Sequence, residues 1–188
     1  MEKKHSVKKE EAKPRSYWRW VVRIFIMSVA LSAVLSFASG IALEDAGYGL
    51  AVLVLVLFVL LGIVFDIIGV AVTAADEKPF HSMASHRERG AKEALSLLKN
   101  AEKVSSFCND VVGDICGIVS GSTAAVIVVR LQNSFNTRSM LVSIAVTALI
   151  SGLTIGGKAI GKRIALAKST IVVLSVARLL QVFHIGNK

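Results

Sequence analysis

Fifteen consecutive residues, Leu50 to Val64, carry no charged, amide or hydroxyl side chain. A helix that is apolar on every side stands in lipid or inside a packed bundle, because it offers water nothing to hydrogen-bond. With its flanks the block covers residues 49–75, enough to cross a hydrocarbon layer of about 30 Å at about 1.5 Å per residue. One feature interrupts it, the carboxylate of Asp66.

Three further blocks repeat the pattern, at 17–38, 104–129 and 139–157, the last rich in small and hydroxylated residues. Hydrophobic residues make up 54% of the chain. A soluble domain averages about 45–50%, and here the excess is confined to the blocks. The two prolines, Pro14 and Pro79, both fall between blocks, so the blocks can be continuous helices. The spacing predicts an all-α integral membrane protein of about four transmembrane helices. A cytoplasmic amphipathic segment and a C-terminal hydrophobic helix complete it. The chain divides into a disordered basic tail (1–16), a transmembrane helix with an external turn (17–48) and a main transmembrane domain (49–188).

The connectors carry the orientation. The tail, the 76–103 segment and a basic loop at 158–168 hold most of the lysines and arginines. The 39–48 turn has none, and the 130–138 loop has only Arg130 and Arg138. A four-span threading puts every strongly basic segment on one side, which the positive-inside rule makes cytoplasmic. The expectation is a multi-pass protein of an inner (plasma) membrane with a cytoplasmic N-terminus. Tyr17, Trp18 and Trp20 suit the aromatic belt, and Arg19 and Arg23 can snorkel to the head groups. The first block is longer than a signal-peptide core, so it reads as a retained anchor.

Residues 76–103 are too polar to span. Apolar residues from Met83 to Leu98 recur at helical spacing, giving one amphipathic helix or a pair joined near Gly90, expected along the cytoplasmic membrane face. Residues 169–185 are apolar but contain Arg178 and His184; spanning, lying flat and half-insertion all remain open.

The formal net charge of +9 is explained by these connectors and by anionic lipid. No nucleic-acid motif accompanies it, and nucleic acid is not an expected partner. Cys108 and Cys116 lie eight residues apart in one block and read as small buried hydrophobes. His81 and His86 read as solvated. No nucleophile–base set or phosphate loop stands out, so no enzyme is expected.

Ionisable residues inside a span are costly and usually face a cavity or a partner. Asp66 is the most isolated of them, with Gly69 and Thr73 one and two turns on. Its roles are a cation ligand, or a hydrogen bond or ion pair to a neighbouring helix. Asp110 and Asp114 share a helical face at i, i+4 spacing, flanked by Asn109 and Gly113. They belong either to a cation path or to a solvated interface. Asp66, Gly69, Thr73, Asn109, Asp110 and Asp114 are therefore the candidate cation path. Ser143, Thr147, Ser151 and Thr154 form a small polar stripe, read with Gly152 and Gly156 as helix packing, as are Gly117 and Gly121.

Three pieces of sequence resemble a known family. They are Gly69-Val70-Ala71-Val72-Thr73-Ala74, the segment Arg89-Gly90-Ala91-Lys92-Glu93-Ala94-Leu95-Ser96-Leu97-Leu98-Lys99-Asn100-Ala101-Glu102-Lys103, and Thr154-Ile155-Gly156-Gly157-Lys158 followed by Arg163-Ile164-Ala165-Leu166. Together they resemble the transmembrane domain of the CNNM/CorC/CorB family, hemolysin-like and magnesium-linked, over roughly residues 50–185. The resemblance implies a homodimer and a role in transport or homeostasis of Mg²⁺ or another divalent cation, with the ion as cargo and no resident cofactor. The family's threonine falls on Thr73. Its two motif glutamates fall on Val72 and Thr154, and no CBS pair is present. The alternative is a non-transporting accessory subunit that assembles with another membrane protein through its small-residue faces. A third expectation is binding of the basic amphipathic segment to a lipid surface.

Overall fold

A computed structural model describes residues 14–44, 47–134 and 140–185. The described residues are helical with no strand: α1 (Pro14–Glu44), α2 (Tyr48–Ala74), α3 (Lys78–Ser85), α4 (Ala91–Lys99), α5 (Ala101–Ser106), a π-helical segment (Phe107–Gly113), α6 (Asp114–Ser134), α7 (Met140–Ala167) and α8 (Ser169–Ile185). Four stretches are long and apolar enough to cross a membrane: Val21–Ile41 in α1, Tyr48–Ala74, Ala101–Ser134 and Met140–Ala167. The chain is an all-α, multi-pass membrane protein.

The all-apolar helix α2 is the axis of the bundle. It packs against α1, α4, α5, the π segment, α6, α7 and α8. At one end, α1, α2 and α6 are tied by polar contacts. The Tyr48 hydroxyl donates to the Arg130 carbonyl at 2.6 Å and also bonds the Ser134 hydroxyl. The Arg130 guanidinium donates to the Leu43 carbonyl. Leu43, Ala51, Leu55, Ala124 and Ile127 form the core there.

The opposite end is closed by the short helices. Phe80 of α3 and Ala94 and Leu98 of α4 are buried against Ala71 and Val72 of α2, Ala165 of α7, and Val173 and Ala177 of α8. Burying Phe80 alone stabilises by about 2 kcal/mol. The amphipathic segment is thus a pair of helices joined at Gly90, as the sequence allowed. Its apolar face is spent on the protein rather than laid on lipid. Gly90 adopts φ +84°, and a Cβ there would come within 2.9 Å of Arg178 Cγ. A glycine is needed both for that backbone and for the close approach of α8.

Several expected boundaries differ. The turn at 39–48 is mostly helix, because α1 runs on to Glu44. Ser39 and Leu43 are buried there, and no proline stops the helix. The basic loop at 158–168 is also helix, continuous to Ala167, since Gly161 and Ala165 pack inward. The third span begins at Ala101, inside the expected amphipathic segment. It continues to Ser134, past the expected loop start at 130. The C-terminal helix is 17 residues long and docks on α4 and α2. Of the expected tail, residues 1–13 lie outside the described residues and 14–16 open α1. Trp18 is exposed, whereas the side chains of Tyr17, Arg19, Trp20 and His184 lie outside the described residues.

The small-residue signals also resolve differently. A Cβ on Gly117, Gly121, Gly152 or Gly156 would meet nothing within 4 Å. Close approach occurs at two other glycines of α7. A Cβ on Gly157 would stand 2.5 Å from Ile63 Cδ1, and one on Gly161 would stand 2.8 Å from Ile67 Cγ1. The α2–α7 seam is therefore isoleucine set into glycine, and Gly152, Gly156 and the Ser/Thr stripe take no part in it.

Candidate functional site

The alternation of faces along α2 builds the site. Ile63 and Ile67 point to α7. Gly62 and Gly69 turn toward the third span, Asp66 lies between them along the helix and meets Lys162 of α7, and all three are buried. Gly62 lets Cys116 approach, since a Cβ there would be 3.2 Å from Cys116 Cβ. Gly69 lets Asn109 approach more closely. A Cβ on Gly69 would be 2.2 Å from Asn109 Oδ1, so any side chain expels the amide. Asp66 sits between these two glycines along α2, about one turn from each.

Asn109 reaches inward because the third span is π-helical there. In the Phe107–Gly113 segment each turn holds an extra residue, through i→i+5 bonding. Gly113 accommodates the wide turn: a Cβ on it would be 3.3 Å from the Cys108 carbonyl oxygen. The shift in phase turns Asn109 to α2 and leaves Asp110 exposed.

Two polar atoms at this junction lack hydrogen-bond donors. Asp66 is 5% exposed, and its Oδ2 accepts no hydrogen bond among the described residues. Its charge is opposed by Lys162 of α7, whose Nζ lies 3.8 Å from Oδ2. That is ion-pair distance but beyond a direct hydrogen bond. Asn109 Nδ2 donates to Ser105 Oγ at 3.2 Å, while its buried Oδ1 has no donor. Burying an unbonded oxygen costs about 1–3 kcal/mol, so each of the two is costly. A second ammonium, Lys158, stands one turn before Lys162, with Nζ 3.8 Å from the Cβ position of Gly113.

The structure thus sets Asn109 against Gly69, with Asp66 one turn away on α2, and leaves the other three candidates apart. Thr73 is exposed, and its hydroxyl bonds back to the Val70 carbonyl at 2.9 Å and more weakly to the Gly69 carbonyl at 3.4 Å. Asp110 is exposed and accepts from Ser106 Oγ at 2.6 Å. Asp114 is exposed as well. His81 is exposed and stands 3.8 Å from Glu77, and His86 is exposed. Cys108 and Cys116 are buried free thiols.

The charges of Lys158 and Lys162, with Gly156-Gly157 just before them, read as a loop. Their i, i+4 spacing and the absence of proline are the signals that point to helix instead.

The site is shallow. Asp66 precedes the end of α2, and Asn109 follows the start of α5, by about 12 Å of helix each. Both count from the end that α3, α4 and α8 close.

The chain matches no family model, no curated protein and no solved structure.

The donor set is hard oxygen, which suits an alkali or alkaline-earth cation rather than a thiophilic metal. Among the described residues no three His, Cys, Asp or Glu side chains gather to hold a metal ion. A divalent cargo at Asp66 and Asn109 would therefore keep much of its water, as Mg²⁺ commonly does.

Proposed function

We propose that this protein handles a cation at the Asp66–Asn109 junction. The role is transport or homeostasis of Mg²⁺ or another divalent ion, along the lines of the CNNM/CorC transmembrane domain that its sequence resembles. One observation supports the reading above all: two buried oxygens on facing helices, Asp66 Oδ2 and Asn109 Oδ1, have no hydrogen-bond donor among the described residues. A hydrated cation supplies positive charge to both oxygens, directly or through its bound water. Ser105, Ser106 and Asp110 extend the oxygen-bearing surface toward the nearer end of the span.

In this reading the end bearing α3, α4 and α8 is cytoplasmic, because every described lysine and arginine except Arg130 belongs to it by position along the chain. The protein resides in an inner (plasma) membrane. It acts as a homodimer, for which the open Gly117/Gly121 and Gly152/Gly156 faces are available.

A second reading rests on Lys162. Because its ammonium already opposes Asp66, the pair can serve only to hold α7 on α2, in an accessory subunit that moves no ion. Proteoliposomes containing an entrapped magnesium indicator separate the two. Cation handling predicts Mg²⁺ entry that Asp66→Asn and Asn109→Ala each abolish. No entry by the wild-type protein favours the accessory role, and entry that survives both substitutions overturns the assignment of the path to Asp66 and Asn109.

A further inference from the structure

We infer that Lys162 is a tethered cation that competes with the free ion for Asp66; this rests on the cation reading of the same site. The geometry has three parts. Asp66 is buried, with a side chain 7% exposed, while the Lys162 side chain is 53% exposed. Their charged atoms stand 3.8 Å apart, too far for a hydrogen bond. Asp66 Oδ2 and Asn109 Oδ1, the two oxygens an ion would use, are both left without donors.

The lysine therefore supplies charge without saturating the coordination. Its stem already reaches the surface, so the ammonium can swing out to the head groups with little loss of solvation. The carboxylate cannot follow, because it is fixed between Gly62 and Gly69 on the central helix. One cation beside Asp66 is favourable in a poorly polarisable site; an ammonium and a divalent ion crowded against the same single carboxylate repel each other. Ion entry and Lys162 departure are thus a single exchange. The carboxylate keeps a cationic partner in both states, and the apparent affinity of the ion is set by how firmly Lys162 holds Asp66. Lys158, facing Gly113 one turn away, raises the same barrier from a greater distance.

The test uses the whole protein in nanodiscs and Mg²⁺ alone as the probe. An amine acylating reagent is applied with and without Mg²⁺, and modification of each lysine is followed by mass spectrometry. Lys168, exposed at the α7–α8 turn, is the internal standard. An ammonium held against the Asp66 carboxylate is shielded from the reagent and acylates slowly. Displacement by Mg²⁺ should raise the Lys162 rate relative to Lys168 at least about threefold, saturating with the binding isotherm. In parallel, Lys162→Gln should tighten Mg²⁺ binding by about tenfold or more. Lys162→Arg, which keeps the charge and binds carboxylate through a planar fork, should weaken it.

If Asp66→Asn removes Mg²⁺ binding but the ion leaves the Lys162 rate unchanged, competition is wrong and the cation site stands. The same conclusion follows if neither Lys162 variant shifts the affinity. If Asp66→Asn binds Mg²⁺ like the wild type, the site itself is wrong and the competition falls with it.

Discussion

Asp66 of α2 and Lys162 of α7 face each other at 3.8 Å across a seam that is otherwise isoleucine against glycine. The two partners differ in burial, and the difference gives the pair a direction. Removing the lysine strands a buried carboxylate. Removing the carboxylate frees a lysine that already reaches the surface.

The stability consequences are correspondingly unequal. Lys162→Met should destabilise the detergent-solubilised protein by about 3–5 kcal/mol, the usual cost of an uncompensated buried charge. Asp66→Asn should cost about 1 kcal/mol or less, because Lys162 can snorkel away. Thermal melts of the two variants in one detergent check this. Equal losses would mean that Lys162 is as confined as Asp66.

Gly69 is the residue that admits Asn109. Because a Cβ there would sit 2.2 Å from Asn109 Oδ1, Gly69→Ala should destabilise by about 1–3 kcal/mol through overpacking. Cation binding should be lost with it. Combining Gly69→Ala with Asn109→Ala should recover most of the stability and none of the binding. A double-mutant cycle on melting and on Mg²⁺ affinity measures both. Additive losses would separate the two residues.

The seam between α2 and α7 discriminates among glycines of one helix. Gly161→Val should destabilise by about 1–3 kcal/mol, since its side chain would enter Ile67. Gly152→Val should leave the melting temperature of the single chain near that of the wild type, because nothing lies within 4 Å of its Cβ position. If Gly152→Val instead shifts the particle to a smaller size on a column, that face joins copies of the chain.

The fold was largely legible because lipid admits so few solutions. Leu50–Val64 could only be a buried or spanning helix, and the prolines and charged connectors marked the turns. The ends were less legible. Helices run past the membrane edge whenever nothing breaks them, so Ser39–Glu44 and Lys158–Ala167 stayed helical despite reading as turn and loop. Half of the candidate site was visible in the same way. An isolated Asp66 followed by Gly69 is anomalous in an apolar helix, and Asn109 enters as a flank of the Asp110–Asp114 pair in the polar first half of the third span. Asp110 and Asp114 were placed with them by α-helical spacing. The π turn at Phe107–Gly113 breaks that spacing, and a stretch of seven residues carries no periodic signature by which to foresee it. Thr73 failed for a local reason: its hydroxyl closes onto its own helix, as threonine commonly does. Lys162 was hidden by its charge, which suggested solvent.

The α8 helix should be held by Gly90. Gly90→Ala introduces a side chain at φ +84° and 2.9 Å from Arg178 Cγ. It should therefore lift α8 from α4 and expose the cluster around Phe80 and Val173. Limited proteolysis near Lys168 should accelerate several-fold, while helix content by circular dichroism stays unchanged. Unchanged cleavage would place α8 elsewhere.

Direct binding of the ion is the most searching measurement. Calorimetric titration of Mg²⁺ into the reconstituted wild-type protein should give a saturable isotherm, and Asp66→Asn, folded by its melting curve, should give only the heat of dilution. Superimposable isotherms for the two proteins, or a flat trace for the wild type, would contradict a cation site at Asp66 and Asn109.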